Sequence, residues 1–479
     1  MKKADVSTSF HVCKDEWKSW LLPLCLTVSS VSNFVFFYLG LAMEENAGRE
    51  YGFILIAVLF ATGSLLSFLA LLKERRIPIT RLLLLATALL YFIVCYIIRF
   101  TNFGFAGDFT AYAGRFAVLC IPPLLCGVCS AVWHTEGAFL AKLEQMTVFV
   151  VPAAVFYSLS ALFHCNPFHS GADLGIIHYM SFAYTIMPFL LAHIIRFCDN
   201  DPFWLPVRRK NSNHPGFIRI SLIALYWYAI LASGTRGCYV CITLFCVMML
   251  LSRMVRRQKI MRAVILTGCL LAFMAASVMG LRLPGLERTA RAGMVIQNAA
   301  EGKIVTSTDD LGIYENNLKA LVQQPGGRQI ANIQKDGDNG QRNPENPVIK
   351  NRGTLWKLAF LETEKAPLTG MAPGGFLIKY GSYPHNAVLE LLCETGIIGT
   401  IILLVLFIRA LIPVLRESAN WRETRYIALM LFAYAVRACF SSTVWECPAL
   451  MLLLGYGLSL SMKKGRDNSG EDGKTEQLV

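Results

Sequence analysis

Three stretches of the chain hold residue types suited to chemistry on an anionic substrate. The first is Ser233-Gly234-Thr235-Arg236-Gly237. A guanidinium beside the backbone N–H groups of a Gly/Ser/Thr turn suits phosphate oxygens in charge and in its two-pronged geometry. The plainer alternative is a tight hairpin whose arginine reaches out of an apolar layer to water. The second stretch is YPHNAVLELLCETGIIG, residues 383–399. His385 is one of eight histidines, and an imidazole can take a proton near neutral pH. Asn386 adjoins it. Glu390 and Glu394 stand at i,i+4 and share a helix face. Both lie inside an apolar run, where a carboxylate is costly and defaults to a functional role. The alternative for this pair is structural, with Arg437 of a later apolar run as the partner. Gly396 and Gly399 suit close helix packing. The third stretch is NRGTLWKLAFLETEKAPLTGMAPGGF, residues 351–376. Arg352 opens an amphipathic helix over 352–366, in which Leu355, Leu358, Ala359 and Leu361 share helical spacing. Pro367 stops it. Gly370, Gly374 and Gly375 let the backbone approach another surface. No Gly-Lys-Ser/Thr follows, so this is not a nucleotide-binding P-loop.

The elements that must position these residues belong to a membrane. Of 479 residues, 55% are hydrophobic and 16% charged, and mean hydropathy is +0.48. A soluble domain carries about 25% charged residues. These figures disfavour a soluble enzyme, a disordered chain and a secreted disulfide scaffold, leaving an all-α integral membrane protein. Twelve apolar runs are candidate transmembrane helices: 20–42, 52–72, 82–100, 116–133, 146–163, 179–197, 217–232, 238–252, 263–281, 386–408, 426–444 and 447–462. The first is too long for a cleaved signal peptide and reads as a retained anchor. Most of the 15 cysteines fall inside apolar runs, Cys238, Cys241 and Cys246 among them, and read as small buried hydrophobes.

Basic residues set the topology. They cluster at the N-terminal tail, at 73–81, 208–219, 253–262 and 409–425, and after 462, with Lys142 on the same side. The short connectors opposite hold Arg49, Arg115 and Arg236. By the positive-inside rule both termini are cytoplasmic. The formal charge of +13 is thus accounted for by loops, and no basic run interleaved with aromatics suggests nucleic acid. The chain divides into an N-terminal bundle of about nine spans (1–281), one large extracytoplasmic loop with short helices (282–384), C-terminal spans (385–462) and a cytoplasmic tail (463–479). A polar loop of this length is functional or disordered. Residues 325–350, rich in Gly, Pro, Asn and Asp, read as its mobile part.

Further candidates lie in the outer connectors. Arg282, Arg288 and Arg291 open the long loop, either to meet phosphates or to mark the membrane interface. His164, Cys165, His169 and His178 cluster in another loop, as a conceivable metal site or as solvated side chains. The acidic pairs Asp309/Asp310 and Asp336/Asp338 have no metal-ligand context. No GxSxG, HExxH or GxGxxG unit occurs.

In order, the chain presents an S-G-T-R-G hairpin and a long outer loop with R-x-x-x-W and P-L-x-G-x-x-P-G-G-F. Then comes H-N-x-x-L-E-x-x-x-E-T-G-I-I-G, which opens a span. This combination, over roughly residues 217–410, resembles the O-antigen ligase and O-antigen polymerase superfamily of bacterial membrane glycosyltransferases. Thr235 stands where many members carry Ser. The resemblance implies a GT-C-like helical fold in the bacterial cytoplasmic membrane. It implies an undecaprenyl-diphosphate-linked glycan as donor, a glycan or other acceptor such as a lipid, and transfer outside the cytoplasm in surface polysaccharide synthesis. At matching positions, Arg236 and Arg352 would grip the diphosphate and His385 would serve the acceptor. Asn386, Glu390, Glu394, Arg437 and Arg288 are the further substrate-binding candidates. No metal and no cofactor is called for, since the diphosphate bond supplies the driving force. The competing class is a multi-pass transporter or flippase for a lipid-linked or small polar solute. Against it stand a long loop after the ninth span, facing outside, and the lack of similarity between halves.

Overall fold

The computed structural model describes residues 18–27, 45–74, 79–103, 107–132, 139–163, 179–201, 214–256, 260–279, 286, 352–380, 383–417, 422–440, 443–445 and 447–460. Among these, every regular element is helical. In chain order they are α1 (18–27), α2 (Glu45–Lys73), α3 (Ile79–Phe103), α4 (Gly107–Val132), α5 (Phe139–Gln145), a 3-10 turn (Met146–Phe149) and α6 (Val151–Leu162). Then follow α7 (Tyr179–Cys198), α8 (His214–Ser233), α9 (Arg236–Val255), α10 (Met261–Val278), α11 (Arg352–Lys365), α12 (Gly375–Tyr380), α13 (Ala387–Glu417), α14 (Arg422–Phe440) and α15 (Pro448–Leu460). Helices apolar on nearly every side satisfy their backbone polar groups internally, which a lipid environment demands.

Five helices are long and apolar enough to cross a membrane, through windows at Leu82–Arg99, Gly216–Ser233, Arg236–Val255, Met261–Val278 and Ala387–Arg416. The pair Phe139–Phe149 and Val151–Leu159, bent by 49°, makes a sixth if taken as one span. Shorter apolar helices cover Ala57–Lys73, Leu119–Val132, Phe182–Cys198 and Pro448–Leu460. Each of the twelve expected spans falls on a described helix, the first only through its opening residues. Length and apolarity by themselves mark five or six crossings. The expected boundaries were short at α8 and α9, whose helices run to 20 residues each.

Small residues let two apolar helices touch. A Cβ on Gly127 of α4 would stand 2.0 Å from the Leu452 carbonyl oxygen of α15, and one on Gly455 would stand 2.0 Å from the Leu124 oxygen. The backbones therefore meet directly at this crossing. Charges between α5, α7 and α8 are paired. Glu144 accepts from Arg219 Nε at 2.8 Å, lies 3.0 Å from Arg196 Nη1, and faces His193 Nδ1 at 3.2 Å. Glu423 of α14 accepts from the Phe139 and Leu140 N–H groups at 3.1 and 3.0 Å, capping the start of α5.

The loop helices have their own core. Leu355, Leu358 and Ala359 of α11 pack with Met371, Phe376 and Tyr380 against Leu389 and Cys393 at the start of α13. The helix ends at Lys365, ahead of Pro367, as its spacing predicted. Below them Glu362 accepts from Lys379 Nζ at 2.7 Å and from the Tyr380 hydroxyl at 2.6 Å. Burial, and then the Glu362 charge, push the Tyr380 phenol far up, so it remains a donor. Residues 325–350 and 463–479 lie outside the described residues.

Candidate functional site

The second motif forms the entrance to α13. Asn386 Oδ1 accepts from the Val388 and Leu389 N–H groups at 3.1 and 3.2 Å. Asn386 is thus the N-cap of the helix. His385 precedes it with φ of 54°, in the left-handed region. Among side-chain-bearing residues His visits that region more readily than most, and strain held there clusters at functional sites. The Tyr383 and His385 rings lie 4.2 Å apart at 51°. The carbonyl of Pro384 accepts from Trp356 Nε1 at 2.9 Å. That bond joins the His385 turn to α11, which Arg352 opens one helical turn before Trp356.

Both glutamates have structural partners, and Arg437 is neither's. Glu390 accepts from the Thr443 hydroxyl and, at 3.1 Å, from Val444 N–H. Glu394 accepts from Gly374 N–H at 2.8 Å, Phe376 N–H at 3.1 Å and the Trp445 indole. Each is about 1% exposed. The expected pairing with Arg437 is corrected: N–H and O–H donors satisfy these oxygens, so no guanidinium is needed. Their place is to hold the turn around Trp445 and the loop before α12.

That loop fits a break in α13. Gly396 adopts φ 64° and ψ −175°, a backbone conformation that costs glycine little. The close packing expected at Gly396 is present, a Cβ there standing 2.3 Å from the Leu368 backbone, and its left-handed geometry also interrupts the i→i−4 ladder. The freed groups find partners in the Pro367–Gly374 segment. Ile397 N–H donates to Pro367 O at 2.8 Å, and Met371 N–H to Cys393 O at 3.0 Å. The Tyr91 hydroxyl donates to Thr395 O at 2.7 Å. A Cβ on Gly370 would stand 2.4 Å from the Glu394 carbonyl carbon, which explains the glycine there.

The first motif is the link between α8 and α9. Ser233 and Thr235 are buried, and Arg236 is exposed. Gly234 has φ 69°. Thr235 N–H donates to Ser233 Oγ at 3.3 Å, and the Ser233 hydroxyl lies 2.9 Å from that of Thr235. The turn is therefore fixed by its own hydroxyls, and the Arg236 guanidinium is left facing outward at the positive end of α9. Cys238 Sγ lies 3.8 Å from Ala183 O of α7, and Cys241 Sγ 3.3 Å from Ala433 O of α14. These contacts seat the start of α9 beside the end of α14, where Arg437 stands with its Cζ 4.4 Å from the Tyr184 ring centroid.

The structure thus gathers the starts of α9, α11 and α13 and the end of α14 at one end of the bundle. Tyr184, Tyr383 and Trp445 were missed in the sequence. Of the three, only Tyr383, adjoining the His-Asn pair, carried a signal. Arg288, Arg282, Arg291, His164, Cys165, His169 and His178 lie outside the described residues.

A helical membrane protein whose three motifs open helices at one end of the bundle, one of them a capped helix preceded by a histidine, defines the class. Residues 221–404 match the family model for O-antigen ligase. Over that segment, less than half of the chain, the protein is similar to the O-antigen ligase family. No curated protein and no solved structure matches it.

Proposed function

We propose that this protein transfers a glycan from an undecaprenyl-diphosphate carrier to a glycan or other acceptor, at the outer face of the bacterial cytoplasmic membrane. The observation that carries this reading is the O-antigen ligase match, whose residues 221–404 include Arg236, Arg352 and His385. Positive-inside charge supports cytoplasmic termini, which puts the ends of the bundle holding those residues outside. In this reading Arg236 and Arg352 hold the diphosphate. Negative charge grows on the leaving oxygen as the glycosidic bond breaks, so fixed guanidiniums favour the transition state over the ground state. His385 accepts the proton from the attacking hydroxyl. The reaction proceeds without a metal ion.

The experiment is transfer by the purified protein in nanodiscs, with EDTA present and carrier-linked oligosaccharide from the native host as donor. Wild type runs beside His385→Ala and Arg236→Ala. Longer glycans on the carrier define a polymerase, and glycan on a new acceptor defines a ligase. Donor left intact by folded wild type, with host membranes supplied as acceptor, overturns the reading in favour of transport.

A further inference from the structure

Between Lys365 and Lys379 the chain runs thirteen residues without a charge, A-P-L-T-G-M-A-P-G-G-F-L-I. A stretch of that length is too short to cross a bilayer and long enough to dip into one and return. Both flanking lysines meet Glu362, Lys379 Nζ at 2.7 Å and Lys365 Nζ at 3.9 Å. The two ends of the stretch are thereby drawn together, like the neck of a hairpin. Lysines at such a neck suit the headgroup layer, which their long side chains reach from below.

Two apolar helices give the depth of the tip. Tyr91 stands nine residues after Leu82 and eight before Arg99, the ends of the apolar window of α3. At about 1.5 Å per residue it is about 12 Å from the nearer end, close to the middle of a hydrocarbon layer about 30 Å thick. Its hydroxyl donates to Thr395 O and lies 3.1 Å from Leu368 O. Further along α3, the Tyr96 hydroxyl donates to Pro373 O at 2.9 Å, and Cys95 packs on Ala372. By α13 the depth is the same. Thr395 lies eight residues beyond Ala387, which is about 12 Å along the helix. Residues 367–373 thus lie level with the interior of these helices, although the sequence places them in a loop outside the membrane.

Their backbone has what apolar surroundings demand. Gly370, Ala372 and Gly374 have φ of 64°, 69° and 80°, so the segment cannot satisfy itself as a helix does. Protein groups supply the partners. Met371 N–H donates to Cys393 O, Ile397 N–H to Pro367 O, and the Gly374 and Phe376 N–H groups to the Glu394 carboxylate. Non-helical backbone at membrane depth is tolerated where protein covers it in this way. The Leu368 side chain, by contrast, is left 58% exposed. Its backbone touches Gly396, so it extends the exposed apolar surface of Ile397, Ile398 and Ile401 on α13.

We infer that residues 366–378 are a re-entrant hairpin tip, which enters the bilayer from the side where α13 begins. Leu368 meets lipid acyl chains, and Lys365 and Lys379 sit among the headgroups. The partner is the bilayer, because the surface that Leu368 extends is the one a membrane span presents to lipid. The hairpin moors α11 to the membrane, and this holds whether the protein transfers glycans or transports them.

The test uses the full-length protein in phospholipid nanodiscs. A photoreactive benzophenone amino acid replaces Leu368 or, for comparison, Gly353, which is exposed near the far end of α11. Gly353 stands about 18 Å along the helix from Lys365, so after irradiation phospholipid adducts should be roughly tenfold more abundant at 368 than at 353. No phospholipid on 368, a cross-link to another part of the chain in its place, or equal yields at the two positions overturns the inference. If the benzophenone variant does not purify folded, Leu368→Trp decides. The fluorescence it adds should be quenched more by phospholipid brominated on its acyl chains than by iodide in the buffer. Equal quenching, or stronger quenching by iodide, places Leu368 in water and overturns the inference.

Discussion

The indole N–H of Trp356 donates to the carbonyl of Pro384 at 2.9 Å, so the helix that Arg352 opens is tied to the residue before His385. One such bond contributes about 0.5–1.5 kcal/mol. Trp356→Phe keeps the ring and removes the donor. Transfer should slow by roughly two- to tenfold, with little change in melting temperature, because the side chain is 41% exposed. Turnover of carrier-linked oligosaccharide checks this. An unchanged rate would mean that α11 holds its place by apolar packing alone.

Glu394 joins three N–H donors from two segments distant in the chain. In Glu394→Gln one acceptor oxygen becomes an amide NH2, and a buried donor must face another donor. Leaving a buried group unsatisfied costs about 1–3 kcal/mol. The expected outcome is a lower melting temperature in detergent and faster proteolysis within 366–374. Glu394→Ala should lose more than Gln, since it removes every acceptor. Equal stability of all three proteins would show that the break in α13 is held by Tyr91 and the backbone bonds without the carboxylate.

The crossing of α4 and α15 predicts an effect remote from the site. Gly127→Ala brings a Cβ to 2.0 Å from a backbone oxygen, and backbone cannot rotate away as a side chain can. Overpacking of this kind costs about 1–3 kcal/mol. Gly216, where a Cβ meets nothing within 4 Å, is the control. Thermal unfolding of Gly127→Ala beside Gly216→Ala should separate them by several degrees. Coincident melting curves would remove the close crossing.

The helices of this bundle are legible in the chain because apolar runs report burial away from water directly. The amphipathic α11 was legible for the same reason: Leu355, Leu358 and Ala359 recur at helical spacing and are buried. What sequence spacing does not carry is pairing across distance. Glu390, Glu394 and Arg437 looked like a charge cluster, being ionisable groups at similar depth. Their true partners are the N–H groups of Gly374, Phe376 and Val444, the Thr443 hydroxyl, the Trp445 indole and the Tyr184 ring. Backbone donors have no residue signature. Gly396 was visible as a small residue, but its left-handed φ depends on the loop that replaces its lost helical bonds.

Arg236 is exposed and begins α9, while the turn before it is fixed by Ser233 and Thr235. Arg236→Lys should therefore fold and melt as wild type does. If Arg236 grips the diphosphate, the point charge of lysine does not replace the guanidinium fork. Loss of one preorganised donor from an oxyanion site costs about 10²–10³ in rate, and a loss of that order is expected here. Near-wild-type turnover would remove Arg236 from the site.

His385 allows conformation and chemistry to be separated. Its φ of 54° suits glycine better than alanine, for which the left-handed region costs about 1–2 kcal/mol. His385→Gly should melt at or above wild type, and His385→Ala below His385→Gly. If the two variants melt alike, the left-handed turn does not persist in the folded protein. Both should lose transfer, since neither offers a proton acceptor. The glycine variant leaves the space of the ring empty beside Tyr383. Added imidazole should then restore part of its rate, and should restore nothing to Arg236→Ala, whose missing group is a cation. Rescue of one variant and not the other would assign proton uptake to His385, because a merely structural histidine would leave a glycine variant that free imidazole cannot help.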